Sequence, residues 1–261
     1  MPNKFLMRED APFSQKFWQL IDETVLKVAK SHLTGRKIIS VKGPFGLGMK
    51  HLSLGEEEIE PGLSAGKVIP LFQIFRSFTL SRRDIASYEK ESVQLELGPL
   101  VNAIVECCKL EDRVVFHGVN SHGLINTPGV LSSEINKWDN VGQAVSDIIK
   151  AITKLDEAGF HGPYLLALSP DRYNLLFRRY DSGNQTELEH LSMMVKGIYK
   201  APALKNCGLL LNDSDVYTSI ILGQDLTVGF IGPVEDRFEF SISETLALLV
   251  NEPSSICVLK E

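Results

Sequence analysis

The sequence predicts an α+β protein, and three observations carry that reading. Helical and strand-like segments alternate without the regular βαβ spacing of a doubly wound parallel sheet. The last part of the chain, from about residue 208, is strand-rich. Residues 49–75 have β-like ends, the acidic run Glu56-Glu57-Glu58 and the breakers Pro61, Gly62 and Gly66, but no helical period. An irregular stretch of that length in a compact domain usually has a function. A long two-stranded arm is one solution, and it would need a partner to be stable.

The elements follow in order. Ser14 is a candidate N-cap for an amphipathic helix over 14–33, where Phe17, Leu20, Ile21, Thr24, Val25 and Val28 share a face that Trp18 and Leu26 widen. Thr34-Gly35 stops it, with Gly35 as a left-handed C-cap. Residues 36–41 read as a short β-like run, followed by a turn-rich Gly43-Pro44-Phe45-Gly46-Leu47-Gly48. Helices are expected at 81–88, 101–118, 141–158, 171–179 and 187–196, with Ile104, Val105, Cys108, Val114 and Val115 as core in the second. Residues 162–169 read as a buried strand and 180–186 as a polar, Gly-containing loop. Further strands are expected at 208–211, 218–222, 226–231, 237–250 and 256–259.

Composition narrows the class. The 261 residues are 44% hydrophobic and 23% charged, enough for one large domain or two smaller ones with a sizeable core. A net charge of −6 and a pI near 5.6 argue against a nucleic-acid partner, because phosphate contacts need clustered Lys and Arg. Residues 1–11 carry Lys4, Arg8, Glu9 and Asp10 and lack the apolar run of a secretory signal. No window approaches the ~20 apolar residues of a membrane span. A soluble cytoplasmic protein with no membrane partner is expected. Cys107, Cys108, Cys207 and Cys257 form no CxxC pair and read as buried thiols.

Chemistry is hard to find. Gly46-Leu47-Gly48-Met49-Lys50-His51 begins like a dinucleotide loop, but the third glycine and the following helix are missing. None of the six histidines pairs with another at i+3 or i+4, so no metal site is expected. Glu187, Glu189 and His190 fit a solvated helix face. Asp213-Ser214-Asp215 fits a turn better than a cation loop. No local pattern links Ser, His and Asp as a triad. The residues alone point to no enzyme.

An ordered set of short motifs resembles the family 1 encapsulins. It begins with Ala11-Pro12, Trp18 and Ile21-Asp22, then Leu33-Thr34-Gly35-Arg36-Lys37 and Gly43-Pro44-Phe45-Gly46. Phe78-Thr79-Leu80, Arg83-Asp84-Ile85, Leu110-Glu111-Asp112 and Phe116-His117-Gly118 follow. The series ends with Gly162-Pro163-Tyr164, Leu168-Ser169-Pro170, Leu222-Gly223-Gln224-Asp225-Leu226 and Ser243-Glu244-Thr245. Each is weak alone; the order and spacing are specific.

The resemblance implies the Hong Kong 97-type fold of phage major capsid proteins. Residues 1–48 would hold the N-terminal helix and part of the peripheral domain, 49–75 the E-loop, and 76–122 the peripheral domain with its spine helix. Residues 123–215 would form the axial domain and 216–261 strands returning to the core. It also implies a homo-oligomeric, closed icosahedral shell, on the order of sixty copies or a multiple, built by repeating one set of contacts. The shell would take up a cargo protein, such as a ferritin-like iron oxidase or dye-decolourising peroxidase, by its C-terminal peptide. An iron-storage or oxidative-stress role follows from such cargo.

By the same resemblance Ile21, Val25, Val28, Leu33, Arg36, Ile38, Ser40, Leu226 and Val228 would line the cargo groove. Tyr180, Asp181, Ser182, Gly183, Asn184, Gln185 and Thr186 would line a pore, with Asp181 favouring cations. Some members bind a flavin through a Trp placed where this chain has Arg83, so no cofactor is expected. A phage major capsid protein is the main alternative, and a soluble enzyme a more remote one.

Overall fold

The computed structural model describes residues 4–91, 93–119, 122–181 and 183–261. The chain runs through α1 (Gln15–His32), α2 (Gly35–Ile38), β1 (Ser40–Lys42), β2 (His51–Glu60), β3 (Leu63–Pro70) and β4 (Phe72–Ser81). It continues with α3 (Arg82–Glu91), α4 (Gly98–His117), β5 (Leu131–Glu134), α5 (Gln143–Glu157), β6 (Tyr164–Leu168) and α6 (Pro170–Leu175). α7 (Glu187–Leu191), β7 (Gly197–Lys200), β8 (Gly208–Asn212), β9 (Thr218–Val234), β10 (Arg237–Val250) and β11 (Ile256–Lys260) complete it. The mixed order is the α+β class the sequence predicts.

Two compact units share these elements. The first comprises Met1–Leu33, Gly43–Glu111 and Ile221–Ala247. In it α1 buries Phe17, Ile21, Val25 and Ala29, an i+4 stripe, and Ser14 caps it by accepting from the Phe17 N–H at 3.2 Å. Leu26 does not join this face; it is 55% exposed. β10 pairs antiparallel with β4 from Arg237 opposite Ser81 to Leu246 opposite Phe72. Aromatic rings fill the layer between α1 and these strands. Phe78 stacks on Phe240 at 5.4 Å, and Phe13 meets Phe230 and Phe238 edge-on at 5.4 and 5.1 Å.

The turn-rich Gly43–Gly48 segment is docked on β9. Phe45 N–H donates to the Leu222 carbonyl at 2.9 Å and Gly46 N–H to that of Gly223 at 2.6 Å. Gly43 sits at φ +119, and a Cβ there would come within 2.4 Å of the Leu222 oxygen. Two of the sequence motifs are therefore the two sides of one backbone contact. β9 runs unbroken from Thr218 to Val234, where the sequence suggests separate strands at 218–222 and 226–231. Asp225 causes the false break. Its carboxylate accepts the Leu226 N–H at 2.8 Å, a turn-like local bond made inside a strand.

The second unit comprises Thr34–Lys42, Asp112–Ile220 and Leu248–Glu261. Its five-stranded sheet has the order β5-β11-β8-β6-β7. β6 and β8 are buried at every position, so Tyr164–Leu168 and Leu209–Leu211 read as apolar runs. α5 packs Val145, Ile148, Ala151 and Leu155 against Leu166, Leu168, Leu210 and Leu259 of that sheet. Trp138 closes the core, and its indole N–H donates to Asp147 Oδ2 at 3.0 Å.

Four local readings change here. Residues 36–41 are not one extended run, because α2 occupies Gly35–Ile38 and only Ser40–Lys42 is strand. The cause is Asp112: its carboxylate accepts the Thr34 N–H at 3.1 Å and the Gly35 N–H at 2.9 Å, which seeds a helical turn. Gly35 is not a left-handed cap either. It is small because a Cβ would meet Val115 Cγ1 at 3.0 Å and Asp112 Oδ1 at 3.3 Å. The helix expected at 187–196 ends at Leu191, since the Lys196 N–H donates to the Tyr164 carbonyl and leads into β7, the parallel neighbour of β6. The helix expected at 171–179 ends at Leu175, and Arg179 instead bridges Thr186.

Candidate functional site

The hairpin β2–β3 is the first candidate. Its register runs from His51 opposite Pro70 to Glu60 opposite Leu63, with irregularities after Ser53 and Glu58. Gly55 at φ +95 and Gly62 at φ +85 supply the irregular backbone and the tip. It is shorter than the 49–75 stretch, because β4 already pairs with β10 at Phe72. Leu52 and Ile69 are half-buried and every other residue of the two strands is exposed. Ile59, Leu63 and Val68 are 66%, 49% and 52% exposed. An isolated two-stranded ribbon with that much apolar surface in water is marginally stable at best.

The candidate groove residues divide between the units. In the first, Ile21, Val25, Leu33, Leu226 and Val228 are buried and Val28 is half-buried. In the second, Ile38 is buried, Arg36 half-buried and Ser40 exposed. The buried side chains already pack inside one chain. Val28 in the first unit, and Arg36 and Ser40 in the second, keep accessible surface. Helical periodicity selects the face that packs, and cannot say what it packs against.

The 180–186 loop is a closed turn in the second unit. Tyr180 N–H donates to the Gln185 carbonyl at 3.1 Å, and Gly183 N–H to that of Tyr180 at 3.2 Å. Thr186 caps α7 in a capping box with Glu189. The Thr186 N–H and hydroxyl hold the Glu189 carboxyl below the usual carboxylate range. The Tyr180 hydroxyl shares a 2.9 Å hydrogen bond with His190 Nδ1. Burial, then the nearby Glu187 charge, push the Tyr180 phenol up, so it stays protonated. Asp181, Gly183, Asn184 and Gln185 are exposed; Ser182 lies outside the described residues.

Below the loop, Glu187 is fully buried. It accepts from the Gly142 N–H at 2.7 Å and Arg178 Nη2 at 3.2 Å. The sequence reading put Glu187 on a solvated face. Its partner Gly142 lies 45 residues away, and no local pattern announces it.

Two buried thiols are held protonated. Burial, then Glu244, push the Cys107 thiol up to about 12, and burial pushes Cys257 to about 11. Thiols so raised are poor nucleophiles and poor metal ligands. Among the described residues, no group of three His, Cys, Asp or Glu side chains could hold a metal ion. No described helix is long and apolar enough to cross a membrane.

Residues 3–247 match the family model Linocin_M18, described as an encapsulating protein for peroxidase. A type 1 encapsulin shell protein of Myxococcus xanthus is 27% identical, with 100% of this chain and 97% of the relative covered. One from Rhodococcus erythropolis is 28% identical over 97% of this chain and 98% of its own length. Among solved structures, the virus-like particle of Pyrococcus furiosus aligns with a TM-score of 0.76 at 19% identity, covering 94% of this chain and 99% of its own. The capsid of Myoviridae phage XM1 aligns at 0.57 and 13% identity, covering 85% and 88%. At these identities the structures speak for the fold, which is the capsid type expected from the motif order.

Proposed function

Because the chain belongs to the Linocin_M18 family of encapsulating proteins, we propose that it is the subunit of a closed shell that encloses a cargo enzyme. The observation that carries the reading is the β2–β3 hairpin, which leaves Ile59, Leu63 and Val68 exposed. A neighbouring copy would cover them, and hairpin and shell would then be stabilised together. Repetition around closed symmetry makes modest contacts strong through multivalency. Copies on the order of sixty, or a multiple, satisfy such closure. The shell's chemistry comes from the cargo, of the peroxidase or ferritin-like iron oxidase class, held by its C-terminal peptide.

Of the proposed cargo-binding residues, Val28 in the first unit and Arg36 and Ser40 in the second keep accessible surface. Arg36 would donate to peptide carbonyls and Val28 would take an apolar side chain. Val28→Asp and Arg36→Ala should each lower the cargo-to-shell ratio several-fold while leaving particles intact. Densitometry of purified particles reads that ratio, and unchanged loading in both variants would sink this site. Asp181, Asn184 and Gln185 would line a hydrated opening, where a carboxylate favours cations. Stopped-flow entry of a metal ion into loaded particles should slow several-fold in Asp181→Lys; an unchanged rate would remove that role.

A further inference from the structure

In the first unit, residues 4–10 lie against β9 and α1, and one arginine holds them there. Arg8 Nη1 and Nη2 donate to Asp22 Oδ2 and Oδ1 at 2.8 and 2.6 Å. Arg8 Nε donates to the Val228 carbonyl at 2.8 Å, and the guanidinium stands 4.5 Å over the Trp18 ring. Leu6 runs so near β9 that a Cβ on Gly229 would meet its carbonyl oxygen at 3.0 Å. A planar fork that meets a carboxylate bidentately, a carbonyl and an aromatic face is held at three points, more than an ordinary surface ion pair.

Around Arg8 the segment is mostly exposed, with Leu6 half-buried. Phe5 and Met7 are 71% and 47% exposed. Met7 is held at φ 54, a left-handed conformation unfavourable for a side chain of its kind. The Trp18 indole N–H beside the pocket is buried with no hydrogen-bond partner among the described residues. Arg8 is well held, and Met7 beside it is the strained point of the segment.

We infer that Asp22, the Trp18 face and the Val228 carbonyl form a guanidinium-recognition pocket in an extended-peptide site along β9, and that the chain's own residues 4–10 fill it as an exchangeable occupant. The ligand class is an extended peptide carrying an arginine. A foreign peptide that also satisfies the Trp18 N–H, without a left-handed residue, would replace the resident segment. The inference rests on the cargo reading only for the identity of that foreign peptide. It would make residues 4–10 a competitor of cargo.

A fluorescent synthetic peptide of residues 1–12 serves as the probe. Full-length shells are dissociated, reassembled with the peptide, and measured by anisotropy. Wild-type shells should bind it weakly, because the tethered segment competes at an effective concentration of order millimolar. Arg8→Ala shells, whose own segment is loosened, should bind it at least tenfold more tightly. The Arg8→Ala peptide should not bind them, and Asp22→Ala shells should bind neither peptide. Equal binding by wild-type and Arg8→Ala shells, or full binding by Asp22→Ala shells, would overturn the inference. Failure of Val28→Asp and Arg36→Ala to change cargo loading would instead remove the cargo reading and leave the peptide result standing.

Discussion

Replacing residues 51–70 with a short glycine linker is expected to abolish assembly and leave the subunit folded. The hairpin contributes almost no burial to its own chain, as only Leu52 and Ile69 are even half-buried. The sheet behind it is anchored independently by the ten-pair β4–β10 register from Ser81 to Phe72. Lys50 and Leu71 already meet at the hairpin's base, where the Leu71 N–H donates to the Lys50 carbonyl at 2.9 Å, so a linker there spans a closed gap. Sedimentation velocity should show the main species falling from a shell-sized particle to a monomer or small oligomer. Far-UV circular dichroism should lose only the hairpin's share of strand signal. Full-size particles from the shortened chain would mean that the hairpin is not the contact that closes the shell.

The second large effect is expected at Asp147. Its carboxylate is buried and accepts from the Asn136 N–H at 2.7 Å, the Trp138 indole at 3.0 Å and Lys150 Nζ at 2.9 Å. Burial pulls its pKa up; the bonds from Asn136, Lys150 and Trp138 outweigh that and hold it below the usual 3.8. Asp147→Ala leaves the fully buried Trp138 N–H unpaired and removes charge-assisted bonds, costing about 3 kcal/mol. Asp147→Asn should cost about half of that, because the shape remains. A depressed folded-state pKa contributes stability that is present above the unfolded value and lost as pH falls through the folded one. The asparagine variant's deficit should therefore begin to shrink as pH falls below about 3.8. Urea denaturation followed by tryptophan fluorescence, in the hairpin-shortened background where assembly does not mask the subunit, reads both effects. A deficit that stays constant down to pH 2 would contradict the assigned charge state.

The legible parts of the sequence were those with strong local signals. α1, α4 and α5 came from periodicity and caps, and the arm from its breakers and lack of helical period. In α4, Ile104, Cys108, Val114 and Val115 are buried as expected and Val105 is half-buried. What stayed hidden depends on distant partners. The α2 turn exists because Asp112 reaches back 78 residues to the Thr34 N–H, and Arg8 meets the Val228 carbonyl across 220. The groove candidates show the same limit. Ile21 and Val25 are groove candidates by resemblance, and both are buried within the chain itself. Val28 keeps accessible surface.

Negative-stain electron microscopy of this chain, expressed alone and purified, tests the central claim most directly. Hollow spherical particles of uniform diameter are expected, formed without any cargo protein. A homogeneous monomer or small oligomer at high protein concentration would contradict the account.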